Sequence, residues 1–260
     1  MAMLVGVIHL PALPGSPRST LTAEECAREA ANDARALAEA GYDAVVVENF
    51  GDAPFFASKV PPVTVAAMTA CAVAVRAAAP KLALGINVLR NDAEAALSIA
   101  VCTQASFVRI NVHTGARVTD QGLVTGDAAG TLRLRRSLGA NHVAIWADVD
   151  VKHSSPLGAP RPLVQEVEDL TKRGMADIVL VTGEGTGKGV DLAKLAAVKR
   201  ASGKPVLVAS GATLDTLSAL AASSDGVIVG TALRENSMAG GAIDARLAKE
   251  FAAAFRAAFA

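Results

Sequence analysis

Short apolar runs return along the chain at a steady interval, and a stretch of helical periodicity follows each one. The runs are Leu4–Leu10, Ala44–Val47, Leu82–Val88, Phe107–Val112, Val143–Val149, Ile178–Val181, Val206–Val208 and Val227–Val229. They are nearly continuous rather than alternating, as expected of parallel strands covered on both faces. Helical spacing puts Cys26, Ala30, Ala34 and Leu37 on one face of the first helix, and Leu247, Phe251, Phe255 and Phe259 on one face of the last. Thr22 with Glu25 and Asn91 with Glu94 read as capping boxes. Eight strand–helix units in 260 residues predict a single domain over residues 1–260, a closed (β/α)8 TIM barrel. A doubly wound open sheet would place a glycine-rich turn after the first strand, and Pro11–Pro17 holds one glycine.

The connections are unequal. Returns from helix to strand are clipped, as at Gly41–Asp43, Pro80–Lys81 and Gly203–Lys204, whereas exits from the strands are long and polar, notably Pro11–Leu21, Asn49–Thr64, His113–Gly130, Lys152–Arg161 and Thr182–Val190. Long loops inside a compact fold usually carry function, so one end of the barrel is expected to bind and the other only to turn the chain.

Composition changes this picture little. Lysine and arginine balance aspartate and glutamate, so no overall charge draws the chain to nucleic acid. Cys26, Cys71 and Cys102 sit in helical surroundings and are odd in number, which fits free thiols in a cytoplasmic protein. No basic stretch precedes the first apolar run, so it reads as a strand rather than a signal peptide. The most apolar helical stretch, Val65–Val75, is too short to span a membrane.

The most specific chemical signal lies at the last two strands. Strand seven runs into Ser210, Gly211, Ala212 and Thr213, and strand eight into Gly230, Thr231 and Ala232. In barrels these two loops commonly hold a phosphate: glycine lets backbone approach the anion, N–H groups donate to it, and a small hydroxyl adds a bond. The fold class is therefore the phosphate-binding type, with Ser210, Gly211, Ala212, Gly230 and Thr231 as the grip. Thr182–Gly189 superficially resembles a nucleotide P-loop. It has three residues between Gly183 and Gly187 where the motif needs four, and Gly189 stands where a Ser or Thr should bind magnesium. A glycine-rich flap with Lys188 reaching an anionic substrate fits better.

Strand periodicity selects the inward-facing polar groups. Trp146, Asp148, Asp150 and Lys152 share one face of strand five, and the same rule turns Glu48, Asn87, Arg109 and Asn111 inward, with His9 ending strand one. Gly85 leaves room for Arg109, whose buried guanidinium requires Glu48 or Asp148 as a partner. Candidate catalytic residues are thus Lys152, Asp148, Asp150, Glu48, Arg109 and His9, with Asn87, Asn111, His113, Thr182 and Lys188 contacting substrate. The chemistry forks three ways. Lys152 could form a Schiff base if its pKa were lowered. Asp148, Asp150 and Lys152 could instead do acid–base work, the aspartates keeping the lysine protonated. A divalent metal on His9, Glu48, His113, Asp148 or His153 is disfavoured, because no histidine has close-spaced partners; no cofactor is expected.

Gly6–Pro11 with Leu13–Pro17, then Glu48–Pro54, Gly85–Asp92, Arg109–Ala116, Ala147–His153, Val181–Gly183 and Val229–Ala232, resemble the BtpA/SgcQ family along almost the whole chain. The resemblance implies a phosphate-binding barrel. It leaves two roles open: an enzyme acting on a phosphorylated, sugar-like metabolite by aldol, isomerase or epimerase chemistry, which the interior charges and the phosphate grip favour, or an assembly factor of the photosystem I biogenesis kind using the barrel as a scaffold. Another branch carries a nucleoside triphosphatase label, to which the interrupted P-loop lends no support. Phe50, Phe55 and Phe56 could supply an exposed apolar patch for a partner, a homo-oligomer contact, or a pocket wall.

Overall fold

Alternating apolar runs and amphipathic helices leave the chain one economical way to bury both, which is to roll the strands into a ring and cover it with helices. The computed structural model describes residues 2–183 and 189–260. Eight parallel strands close the barrel among these residues: β1 (Met3–His9), β2 (Ala44–Glu48), β3 (Ala83–Asn87), β4 (Phe107–Ile110), β5 (Ala144–Val149), β6 (Ile178–Val181), β7 (Val206–Val208) and β8 (Gly226–Val229). Each hydrogen-bonds to the next in chain order, and β8 returns to β1 through the pairs Met3–Gly226 to Gly6–Val229.

The covering helices are α1 (Ala23–Glu39), α2 (Pro62–Ala78), α3 (Ala93–Thr103), α4 (Ala128–Ser137), α5 (Leu163–Glu168, continued by a π-turn over Asp169–Arg173), α6 (Leu192–Ser202), α7 (Leu217–Ala221) and α8 (Ala245–Ala258). Thr22 closes a capping box with Glu25 at the start of α1, and Cys26, Ala30, Ala34 and Leu37 are buried against the sheet. On α8 the buried stripe is Ala248, Phe251, Ala252 and Phe255, so Phe251 and Phe255 keep the expected face, while Leu247 and Phe259 are half-buried at its edge. The cap of α3 is Asp92, whose carboxylate accepts from Ala95 N–H. Asn91 is instead spent on the backbone of Val112, donating to its carbonyl and accepting from its N–H, so the expected Asn91–Glu94 box does not form.

Inside the ring, side chains from alternate strands fill the axis. Val5, Val7, Val46, Phe107, Trp146, Leu180, Leu207 and Ile228 form a packed plug below the binding end. The rings of Phe107 and Trp146 stack at 3.7 Å with 9° between planes. A Cβ at Gly85 would lie 2.1 Å from the Phe107 ring, so the space over this glycine belongs to Phe107 and not, as the sequence suggests, to Arg109.

The long exit from β4 is not an irregular loop. Ala116–Thr119 and Gly122–Thr125 pair as an antiparallel hairpin, and Ser155–Pro156 from the exit of β5 adds a third short strand. This small sheet stands beside the barrel mouth.

Candidate functional site

The polar residues gather where the strands end. His9, Glu48, Asn87 and Arg109 lie in one row of register across β1 to β4. Arg109, 5 % exposed, donates to both oxygens of Asp148 at 3.2 Å and lies 3.9 Å from Glu48. Burial works against its charge, but Asp148 and Glu48 outweigh it and hold the guanidinium pKa above its usual value. Asn111 donates to Asp148 at 2.6 Å and is itself braced by Asn87. Asp148 is thereby committed to Arg109 and Asn111 rather than to Lys152.

Above this row lies a cavity of about 320 Å³. Its walls include His9, Glu48, Phe50, Phe55, Arg90, Arg109, Asn111, Lys152, His153, Ser210–Thr213 and Gly230–Ala232. The two glycine turns and the inward charges thus face one space. Lys152 Nζ donates to Ser210 Oγ at 3.3 Å, at the edge of the β7 turn. Burial and then the nearby Arg109 push its pKa below the usual lysine value, against the partial opposition of Glu48 and Asp148. The aspartates expected to keep this lysine protonated are engaged elsewhere, Asp148 with Arg109 and Asp150 with Arg117 and Lys194, and burial has the larger say.

His9 stacks on Phe50 at 4.4 Å, and its Nδ1 accepts from Gly240 N–H at 3.2 Å. The ring proton therefore sits on Nε2, 3.9 Å from Glu48. Burial, followed by the charges of Arg234, Lys152 and Arg109, holds its pKa well below the ordinary histidine value, so the ring is neutral. A Cβ on Gly230 would come within 3.1–3.2 Å of this imidazole, which fixes the turn close to His9.

Several expected site residues lie elsewhere. Asp150 follows the end of β5 with φ 50°, which breaks the alternation that would have aimed it at the axis; it pairs outside with Arg117 and Lys194. His113 is buried away from the cavity, bonded through Nε2 to the Gly174 carbonyl at 2.7 Å. Thr182 accepts from the Lys152 backbone N–H at 3.0 Å, and Asn87 supports Asn111, so both serve the wall from behind. Lys188 lies outside the described residues. No three His, Cys, Asp or Glu side chains converge as a metal site among the described residues.

Two arginines were missed. Arg90, 7 % exposed, lines the cavity and donates to the Lys152 carbonyl at 2.8 Å; its signal was a cation just past the end of β3. Arg234, 2 % exposed, donates to the carbonyls of Gly230 at 2.7 Å, Gly241 at 2.9 Å and Val7 at 3.1 Å, with Asp33 at 3.9 Å. It holds the β8 turn from below, and no periodicity marks it.

A closed ring of eight parallel strands covered by helices, with glycine turns after β7 and β8 facing buried ionisable groups, defines a TIM-barrel protein. The BtpA family model matches residues 1–257, and the chain belongs to the BtpA family. It is 44 % identical over 244 residues to the photosystem I biogenesis protein BtpA of Synechocystis, covering 93 % of this chain and 83 % of that one. An uncharacterized protein of Thermococcus kodakarensis is 43 % identical over 235 residues, covering 90 % and 87 %. Among solved structures, thiamine phosphate pyrophosphorylase from Pyrococcus furiosus superposes with a TM-score of 0.62 over 99 % of this chain and 98 % of that one. At 14 % identity that likeness concerns the fold alone. No helix among the described residues is long and apolar enough to cross a membrane.

Proposed function

We propose that the chain is an enzyme acting on a phosphorylated small metabolite, held with its phosphate against the turns Ser210–Ala212 and Gly230–Thr231. The observation that carries this reading is the shared cavity, in which those turns adjoin Lys152 and oppose Arg90 and Arg109. With Lys152 protonated, three cations face Glu48 and Asp148 among the described residues, leaving the wall in positive excess and suited to an anion. Lys152, Glu48 and the neutral His9 then stand where a proton must move in aldol, isomerase or epimerase chemistry. Buried charges in a water-poor site act on developing charge far more strongly than they would in bulk solvent.

The name of the Synechocystis relative favours a second reading, an assembly factor whose barrel is a scaffold. One observation supports the first instead: Phe50 and Phe55 line the cavity, leaving Phe56 as the exposed aromatic of that loop.

Gly230→Val tests the phosphate grip, because its side chain would strike His9 and Val7. Calorimetry with inorganic phosphate and simple sugar phosphates is expected to show binding to the native chain and none to the variant. Equal affinities in a folded variant would refute the grip.

A further inference from the structure

We infer that Lys152 is a nucleophile that forms an imine with the carbonyl carbon of a short phosphorylated aldehyde or ketone. The inference rests on the proposed phosphate grip and names the substrate class that would occupy it.

Geometry makes the case. Lys152 is the cation whose ammonium end meets the phosphate turn itself, through the 3.3 Å contact with Ser210 Oγ. A ligand whose phosphate rests in that turn therefore presents its first few carbons to Nζ. The backbone of Lys152 is pinned at both ends, its N–H by Thr182 Oγ1 and its carbonyl by Arg90, so the side chain leaves from a fixed point. The carboxylates that could have locked it as an ion pair are engaged elsewhere: Asp148 receives Arg109 and Asn111, and Glu48 lies between Arg109 and His9. A lysine that is buried and flanked by cations is shifted toward the free amine that attacks carbonyls. The lowered Lys152 pKa, set by burial and then Arg109, agrees.

The step balances. The amine nitrogen adds to the carbonyl carbon and its proton passes to the oxygen, giving a carbinolamine. The C–O bond then breaks, and the oxygen leaves as water with a second proton, one the nitrogen gives up, leaving a C=N bond. Glu48 and His9 line the same cavity as Lys152 and are the groups assigned to move these protons. Once the imine nitrogen takes up a proton, the resulting iminium withdraws electrons from the adjacent carbon, which permits aldol cleavage or proton exchange there. Water reverses the imine.

Borohydride trapping tests this on the full chain. The protein is incubated with glycolaldehyde phosphate, reduced with sodium borohydride to a stable secondary amine, and mapped by peptide mass spectrometry. Labelling is expected at Lys152, about tenfold or more above exposed lysines, an enrichment that bound proximity readily supplies. Inorganic phosphate should suppress it, and Lys152→Arg should lose the adduct while still binding inorganic phosphate in calorimetry. Adduct spread evenly over surface lysines would overturn the inference, and this result needs no variant to fold. Phosphate binding without adduct at Lys152 removes the imine and leaves the grip standing. Equal labelling of Lys152 by unphosphorylated glycolaldehyde, with no competition by phosphate, keeps the nucleophile and removes the phosphate from its substrate.

Discussion

Replacing Arg109 with methionine keeps most of the side-chain volume and removes the charge from the centre of the polar row. Asp148, whose side chain is wholly buried, then keeps only the bond from Asn111, and Glu48 loses its nearest cation. Stripping one member from a buried pair costs about 3–5 kcal/mol. Urea denaturation at pH 7 measures this, with the midpoint falling and the slope unchanged. Arg109→Met combined with Asp148→Leu should recover much of the loss, because an apolar pair leaves no orphaned charge. An unchanged midpoint, or a double variant no more stable than the single one, would refute the network as a coupled buried unit.

Two further outcomes follow from the same packing and burial. Gly85→Ala should destabilise the chain by about 1–3 kcal/mol through overpacking against Phe107, and Trp146, the chain's one tryptophan, should report it as a shift in intrinsic fluorescence. His9 is held neutral when folded and binds a proton when unfolded, so its contribution to stability is lost as pH falls below about 6.5. Each such histidine adds up to about 1.4 kcal/mol per pH unit to that slope, and comparing stability curves of the native chain and His9→Gln between pH 7 and 5 should show the variant's to be flatter.

Strand alternation located inward groups for as long as the chain stayed extended. Glu48, Arg109 and Asp148 fall inside β2, β4 and β5, where a period of two holds. Asp150 lies one residue past β5 in a left-handed conformation, and a rule about strands has no authority there. Gly85 does make room for a large side chain, but Phe107, its register partner, fills that room, and Arg109 is level with Asn87. The hairpin Ala116–Thr125 hid in a segment of polar and small residues, where packing against the exit of β5 decides the pairing. Arg234 was invisible for a different reason: its acceptors are carbonyls from Val7, Gly230 and Gly241, which no side-chain pattern encodes.

That arginine has a consequence for how the protein is made. It joins the first strand to the turn after the last, across 227 residues of chain. On the ribosome Val7 emerges long before Gly230 and Arg234, so the clasp cannot close until the eighth strand has left the exit tunnel. The same clasp shapes the turn beside His9. A nascent chain can therefore build most of its barrel wall while having no finished pocket, and chemistry at the mouth begins only with a completed ring.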